Sequence, residues 1–410
     1  MDKTTNKKKS LATVLFALSF WLIFVTIEGS FSVQMFLPFL LLIILYKVII
    51  CKKFKIKINT ESKTLFWFIA ALINSTAINA ITHNSYFSVN TLIGIAYFIV
   101  IYLWYLFNTN KVYDKLEIKY IISSYIGMSV LCSIMLIRRF LGGQLGKIAM
   151  INFINVEIDE NYVSALIAMA SLFLFSIILN NDSNTKISVK ILRIIFLGIN
   201  ILAIALSGSR AALIGTILCI ILSYMLALKS NLTRKKLIKL LVICFLVIGI
   251  GGKVLNYLPA WTFNRYFNSS YSDNSNSRRV LMWKNGINGF FYSPFYGYSI
   301  RIFDQLPNFS NIDGFQIPER VPAHQTYIDI LLYTGIFGFI PFILFICKIL
   351  KKIITKEEKR MLPMVLFLLF ITNIIGAEKS VLMWNNLILF TIIGDYIEKN
   401  ENINDIYKEF

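Results

Sequence analysis

The sequence predicts an all-α polytopic integral membrane protein with about twelve transmembrane helices and one large loop. Hydrophobic residues make up 57% of its 410 residues and charged residues only 15%, which is more apolar surface than a soluble domain of this size needs. The apolar runs are long and lack the alternation of membrane β-strands. Basic residues cluster in every second loop, as the positive-inside rule requires. These observations indicate a bundle of membrane helices.

Apolar runs of about 17 to 25 residues are long enough to cross a bilayer as helices. The predicted spans are 11–27, 31–51, 64–82, 89–107, 120–137, 161–180, 191–206, 211–229, 237–255, 324–347, 361–377 and 381–397. No cleavable signal peptide is expected, because no small-residue cleavage pattern follows the first run. Residues 1–410 are expected to form a single membrane domain with both termini in the cytoplasm. The net charge of +19 is interpreted as a topology signal, so no nucleic-acid partner is expected.

The segment 256–323, between the ninth and tenth predicted spans, is far longer than ordinary connections. It is rich in Trp, Phe and Tyr, which argues against disorder. We expect an extracytoplasmic loop that forms an ordered cap over the active site.

Metal-binding side chains are scarce. All five cysteines lie within or at the inner ends of apolar runs, and His83 and His324 are the two histidines in the chain. We therefore expect neither disulfides nor a metal centre built from cysteine or histidine.

Two arginine-bearing segments could bind an anion. Arg210 follows Ser207-Gly208-Ser209 in the first turn of a predicted helix, where free backbone N–H groups attract anions. In a helix predicted from residue 277 to about 292, Arg279 projects beside an apolar stripe and Arg278 points to the opposite side. The stripe comprises Val280, Trp283, Ile287, Phe290 and Phe291. Taken singly, a snorkelling arginine or an interfacial helix with solvated arginines is the simpler explanation.

The start of the tenth predicted span carries His324, just after Pro322. Histidine titrates near neutral pH and could act as a general base on a sugar hydroxyl, although a hydrogen-bonding interfacial anchor is the simpler alternative. Gly335 and Gly338, three residues apart on one helical face, are expected to allow close helix packing, and Asp329 is expected to have a partner or a role.

The entry to the sixth predicted span, Glu160-Asn161-Tyr162, could bind sugar hydroxyls, orient an arginine or cap the helix. The predicted topology brings this segment, Arg210, Arg279 and His324 to one membrane face. Aromatic rings suit the apolar faces of sugars and arginines suit a diphosphate. This combination points to a lipid-pyrophosphate-linked saccharide as the ligand.

These residues resemble a known family. His324-Gln325, nine residues and then Gly335-x-x-Gly338 resemble the signature of the O-antigen ligase and O-antigen polymerase superfamily. Arg279-x-x-x-Trp283 followed by Ser293-Pro294-Phe295-Tyr296-Gly297 is similar to that family's large outer-loop segment. The turn Ser207–Arg210 and the segment Glu160–Tyr162 are similar to two further family elements, so the resemblance covers roughly residues 159–338. Phe339 and Ile214 depart from the usual pattern, which weakens assignment to the ligase branch.

The resemblance implies a metal-independent glycosyltransferase, without a cofactor, on the outer face of the bacterial cytoplasmic membrane. His324 would activate the acceptor hydroxyl, while Arg210 and Arg279 would bind the donor's pyrophosphate and stabilise its developing charge. Substrate-binding roles are expected for Arg278, Trp283, Arg265, Arg301, Asn161 and Gln325. The implied partners are an undecaprenyl-pyrophosphate-linked oligosaccharide and membrane lipid, with a chain-length regulator and a flippase as further candidates.

The leading hypothesis is a polymerase that joins lipid-linked oligosaccharide repeat units into O-antigen or capsular polysaccharide. The alternative within the family is a ligase that transfers the glycan to lipid A core or to a protein. A transporter of lipid-linked sugar is less favoured, because charged residues are scarce within the spans and no repeated halves are found. A purely structural component would leave the arginine- and aromatic-rich loop without a purpose.

Overall fold

A computed structural model describes residues 11–21, 42, 45, 58–82, 89–141, 160–180, 185–227, 269–300, 311–312, 315–316, 323, 325–354, 361–378 and 380–400. Within these residues the chain forms eleven helices and one pair of two-residue strands. The helices are α1 (Leu11–Ser19), α2 (Thr60–Thr82), α3 (Val89–Thr109), α4 (Lys115–Leu141), α5 (Glu160–Leu179), α6 (Ile187–Leu206), α7 (Arg210–Ala227), α8 (Ser269–Tyr292), α9 (Thr326–Ile354), α10 (Leu362–Thr372) and α11 (Val381–Asn400).

The predicted helical class is confirmed. Seven of the described helices, namely α2 to α7 and α9, are long and apolar enough to cross a membrane. Helices α1, α10 and α11 lie on three further predicted spans, and α10 is a shorter apolar helix of 11 residues. The predicted spans 31–51 and 237–255 lie outside the described residues, apart from residues 42 and 45. The count of twelve therefore stays a prediction.

The long loop contains α8, which ends at Tyr292 as predicted but begins at Ser269 rather than near residue 277. It also contains strands β1 (Asn311–Ile312) and β2 (Phe315–Gln316), which pair antiparallel with Ile312 opposite Phe315. Asp313-Gly314 lies between them in the sequence, and Asp-Gly is a favoured two-residue hairpin connection. This strand pair is a small departure from the all-α expectation.

The core of the bundle is aromatic. The largest fully buried side chains include Trp104 on α3, Tyr125 on α4 and Trp384 on α11. Polar bonds are set within it: the Trp104 indole donates to Asn385 Oδ1 at 3.3 Å, and Asn385 Nδ2 donates to Ser19 Oγ at 2.8 Å. Such bonds tie apolar helices together where hydrophobic packing alone gives little preference between neighbours.

Helices α2 and α9 form the most extensive pairing among the described elements. α9 is interrupted at Gly335, where φ is 57° and ψ is −161°, so it consists of two half-helices joined at one non-helical residue. The prediction that Gly335 and Gly338 share one helical face is therefore wrong. The break has a physical reason that lies outside α9, and it bears directly on the candidate site.

Candidate active site at the start of α9

The segment that follows α8 contacts α9 at its break. Backbone N–H groups of Tyr298 and Ser299 donate to the carbonyl oxygens of Leu332 and Tyr333 at 2.8 and 2.9 Å. On the other side of the break, the Ile336 N–H donates to the Pro294 carbonyl at 2.8 Å. Phe337 N–H donates in the same way to Phe295 at 3.3 Å. We call this contact of residues 294–299 with residues 332–337 the backbone crossing. It satisfies backbone groups that a broken membrane helix would otherwise leave without partners.

Two glycines make the backbone crossing possible. A Cβ atom at Gly335 would lie 2.4 Å from the Phe295 carbonyl carbon, and one at Gly297 would lie 2.4 Å from the Leu332 carbonyl oxygen. Both residues also have positive φ angles, 57° and 67°, which side chains disfavour. At position 338 a glycine is needed for a different reason, because a Cβ atom there would lie 2.3 Å from Thr334 Cβ in the same helix. Gly335 thus serves a chain crossing rather than helix–helix packing, whereas Gly338 makes room for Thr334.

Helix α2 holds the backbone crossing from a third side. Ser75 Oγ donates to the Tyr333 carbonyl at 2.8 Å, and Asn79 Nδ2 donates to the Gly297 carbonyl at 3.1 Å. Thr76 Oγ1 and Ser299 Oγ are 2.6 Å apart. These bonds hold Ser299 at a φ of 75°, an uncommon conformation for a residue other than glycine. Beside it, burial raises the pKa of the Tyr298 phenol.

The first turn of α9 is capped on both sides of position 324. Gln325 Oε1 accepts the Ile328 N–H at 2.5 Å, as an N-cap side chain does. The buried carboxylate of Asp329 accepts the Ala323 N–H at 2.9 Å and the Gln325 N–H at 3.2 Å. The partner expected for Asp329 is therefore backbone N–H. Position 324 itself lies outside the described residues, but its two chain neighbours are fixed by one carboxylate.

A turn after α10, residues 373–378, contacts this helix start. The Thr326 hydroxyl donates to the Ile375 carbonyl at 3.0 Å and accepts the Ala377 N–H at 2.8 Å. Gln325 Nε2 donates to Asn373 Oδ1 at 2.8 Å. The turn and the first turn of α9 are therefore tied by three hydrogen bonds.

Helix α5 connects turn 373–378 to the turn Ser207–Arg210, which we call the arginine turn. The Tyr162 hydroxyl donates to the Gly376 carbonyl. Its neighbour Asn161 accepts the Ser209 hydroxyl at 3.0 Å through Oδ1. Ser164 Oγ, one helical turn along α5, donates to Ser207 Oγ at 2.7 Å. Arg210, partly buried, follows Ser209 directly at the start of α7. The structure thus links Arg210's turn, the Asn161 segment and the start of α9.

Helix α8 packs on the same helix start. A Cβ atom at Gly286 would lie 2.5 Å from Ile328 Cγ2 and 3.4 Å from both Ala323 Cβ and Leu332 Cδ1. Arg279 lies seven residues before Gly286, so it shares the helical face that contacts α9, about 10 Å along the axis. Of the predicted apolar stripe, Val280, Ile287 and Phe291 are exposed, whereas Leu281 and Met282 of the same helix are buried.

Five of the predicted site residues lie on the elements just described: Arg210, Arg279, Trp283, Asn161 and Gln325. Arg278 belongs to α8, but its side chain lies outside the described part of the structure. His324, Arg265 and Arg301 lie outside the described residues altogether. The Gln325 side chain is used for capping and for the bond to Asn373. The Trp283 indole N–H is buried and finds no acceptor among the described residues.

Sequence reasoning missed turn 373–378 and its Glu378. This carboxylate is only 4% exposed, and its Oε1 accepts the hydroxyl of the fully buried Tyr333 at 3.3 Å. The Glu378 carbonyl accepts the Trp384 indole N–H at 2.7 Å. A glutamate beside a short loop, between two predicted spans, was the available signal. Among the described residues, no group of three His, Cys, Asp or Glu side chains could hold a metal ion.

Comparison with known proteins gives one family match. Residues 194–343 match the family model described as O-antigen ligase. The matched region contains the arginine turn, the Arg279 helix and the segment from residue 324 to Gly338, and it ends before turn 373–378. The Asn161 segment precedes it. No curated protein matches the chain.

Proposed function

We propose that this chain polymerises lipid-linked oligosaccharide repeat units, and its match to the O-antigen ligase family model over residues 194–343 supports a role of this kind in surface polysaccharide synthesis. The donor is an undecaprenyl-pyrophosphate-linked oligosaccharide, and the product is O-antigen or capsular polysaccharide. The reaction takes place at the outer face of a bacterial cytoplasmic membrane, with both termini of the chain in the cytoplasm. Segment 256–323 forms a cap over the site. A chain-length regulator and a flippase are the partner proteins of such a step.

The observation that carries this proposal is the chain of hydrogen bonds from Ser209 to Thr326. It runs through Asn161, Tyr162 and turn 373–378, and it fixes Arg210 relative to the start of α9. Helix α8 packs on the same helix start through Gly286, and Arg279 lies on that helical face about 10 Å further along the axis. These contacts support a single site that contains the two arginines, the buried indole N–H of Trp283 and the chain neighbours of His324. A site of this kind suits a diphosphate attached to a sugar.

The reaction follows from these groups. The acceptor hydroxyl oxygen bonds to the anomeric carbon of the donor glycan, and the bond from that carbon to the pyrophosphate oxygen breaks. His324 takes the hydroxyl proton as general base. Undecaprenyl pyrophosphate leaves with the electron pair, and Arg210 and Arg279 stabilise its charge. Trp283 donates its indole N–H to the donor, while Asn161, Arg278, Arg265 and Arg301 complete the binding site. No step uses a metal ion or cofactor.

A second candidate is the ligase reaction, in which the growing glycan passes to lipid A core or to a protein. The description of the matched family model as O-antigen ligase favours it. Both reactions use the same donor chemistry and differ in the acceptor. The residues named above serve either one.

The test is a deletion strain complemented with variants, with surface glycan resolved by gel electrophoresis. His324→Ala should abolish long-chain glycan while the protein still reaches the membrane in normal amount. Long-chain glycan in the His324→Ala strain would contradict the assigned base. In the strain with no protein, single repeat units on the acceptor indicate a lost polymerase, whereas unattached lipid-linked polymer indicates a lost ligase.

Arg279 and Arg278 form a matched pair on α8 for the same assay. Arg279 shares the face of Gly286 that contacts α9, whereas Arg278 is rotated by about 100° around the helix. Arg279→Ala should lower the rate roughly a hundredfold, the cost of removing one donor to developing charge. Arg278→Ala should cost far less. Equal losses would contradict the assignment of Arg279 to the pyrophosphate.

A further inference from the structure

We propose that turn 373–378 is an element of the active site, and that Thr326 is the positioning residue through which this turn fixes the start of α9 relative to Arg210. The inference rests on the proposed function, because it concerns the geometry of the same site. It adds a segment that lies beyond the region matched by the family model.

Thr326 has a single hydrogen-bonding geometry. Its hydroxyl is fully buried, donates to the Ile375 carbonyl at 3.0 Å and accepts the Ala377 N–H at 2.8 Å. A hydroxyl has one proton to donate, so these two bonds fix its rotamer and the distance between helix and turn. The helix start cannot move away from the turn without leaving buried polar groups unsatisfied. Thr326 stands two residues after His324 in the sequence.

The turn is also held by α5. Tyr162 donates its hydroxyl to the Gly376 carbonyl, which lies between the two residues that Thr326 contacts. From Tyr162 the path continues to Asn161, which accepts the Ser209 hydroxyl next to Arg210. Every step is a hydrogen bond or a link between adjacent residues. The turn therefore bridges the two places where the proposed reaction needs opposite roles, the base and the pyrophosphate-binding arginine.

Asp329 couples the first turn of α9, which contains Thr326, to the residues on both sides of His324. Its buried carboxylate accepts the N–H groups of Ala323 and Gln325, so those residues and the first helical turn form one unit. Positioning of this kind matters for rate, because a displacement of about 1 Å at reacting groups can cost about a hundredfold. Ground-state donor binding depends less on the first turn of α9, so we expect the loss to appear in kcat rather than in KM.

Two substitutions separate positioning from mere packing. Thr326→Val keeps the shape and removes the hydroxyl, whereas Thr326→Ser keeps the hydroxyl. Thr216→Val is the matched control, because Thr216 is equally buried and its hydroxyl bonds the Ala212 carbonyl of its own helix at 2.6 Å. The purified proteins are assayed with lipid-linked oligosaccharide extracted from membranes of the deletion strain. The thermal unfolding curve of each protein in detergent gives the fraction that is folded at the assay temperature.

Thr326→Val should lower kcat by about tenfold or more, with KM for the donor within roughly twofold of wild type. Thr326→Ser and Thr216→Val should stay within about threefold of wild type in kcat, as expected when no interaction with the reacting groups is lost. An equal loss in Thr326→Ser, or a loss of the same size in Thr216→Val, would overturn the positioning role. A lower folded fraction with unchanged kcat per folded molecule would overturn it too.

If Thr326→Val does not fold, Asn373→Ala decides the question. Asn373 is exposed, and the change removes a second tie between the turn and the start of α9, the 2.8 Å bond from Gln325. We expect kcat to fall about fivefold with KM unchanged, since the variant loses one neutral hydrogen bond between the turn and the start of α9. An unchanged kcat would reject the proposal. Wild-type protein without activity on the extracted donor would contradict the proposed function itself, and the positioning role would fall with it.

Discussion

Helices α2 and α9 are joined by different chemistry at the two ends of their contact. At the backbone crossing, Ser75, Thr76 and Asn79 of α2 bond neutral hydroxyl and carbonyl groups. At the opposite end, Lys352 of α9 lies between two carboxylates, 3.0 Å from Glu61 of α2 and 2.6 Å from Asp395 of α11. Lys348 adds a bond of 2.9 Å to the Thr60 carbonyl.

The difference teaches where this bundle sets its geometry. Hydrogen bonds between short neutral groups fix distance and angle, because backbones must approach closely for them to form. A lysine on a flexible stem reaches its carboxylates from a range of positions. The backbone crossing therefore sets the geometry of the candidate site, while the ion cluster ties three helices together with less positional demand. Three substitutions test this contrast.

The largest effect is expected at the backbone crossing. Gly335→Ala should destabilise the protein by roughly 4 kcal/mol or more, because the new methyl group meets the Phe295 backbone at a positive φ. We expect loss of monodisperse protein after detergent extraction, measured by size-exclusion chromatography. Gly198→Ala on α6 is the control, since nothing lies within 4 Å of its Cβ position. Normal behaviour of Gly335→Ala would mean that the segments can separate.

An intermediate effect is expected at the ion cluster. Lys352→Met leaves Glu61 and Asp395 without their shared cation, and Glu61 is buried while Asp395 is partly exposed. Breaking a buried pair costs about 3 kcal/mol, so the unfolding midpoint in detergent should fall clearly. Activity per folded molecule should stay near wild type. Lys348→Met, which loses an exposed bond, is the control and should change little. A fall in kcat of folded Lys352→Met protein would erase the contrast between the two ends.

The smallest effect is expected from a single hydroxyl at the backbone crossing. Thr76→Val removes the 2.6 Å contact with Ser299 and should cost about 1 kcal/mol of stability. Because Ser299 belongs to the segment that follows α8, activity should also decline modestly. Thr82→Val, an exposed hydroxyl bonding Ile78 on the same helix, serves as the reference. Equal unfolding midpoints and activities for the two variants would show that this hydroxyl contact does not hold the crossing.

Much of the candidate site could be predicted from the sequence, since its elements begin at recognisable helix starts. Arg210 follows a serine- and glycine-containing turn, Asn161 opens an apolar run, and Arg279 sits on a helix with clear periodicity. Turn 373–378 could not be predicted as part of the site. It contributes mainly backbone carbonyl and N–H groups, which every residue has, so its role leaves no side-chain pattern.

The backbone crossing could not be predicted from the sequence either. The glycines at 335 and 338 fit a helix-packing pattern equally well, and hydropathy treats residues 326–354 as one span. What breaks the helix is hydrogen bonding to residues 294–299 and to Ser75, which lies 258 positions away from Tyr333 in the chain.

The sequence by itself determined the helical membrane class, most helix positions and the residue types that suit a sugar diphosphate. It could do so because hydropathy, periodicity and capping are properties of neighbouring residues. Only the tertiary structure decided that α9 is broken, that α8 packs through glycine, and that one turn ties Thr326 to Arg210's segment. Those features depend on backbone groups from distant parts of the chain meeting at hydrogen-bonding distance, and backbone groups are the same at every position.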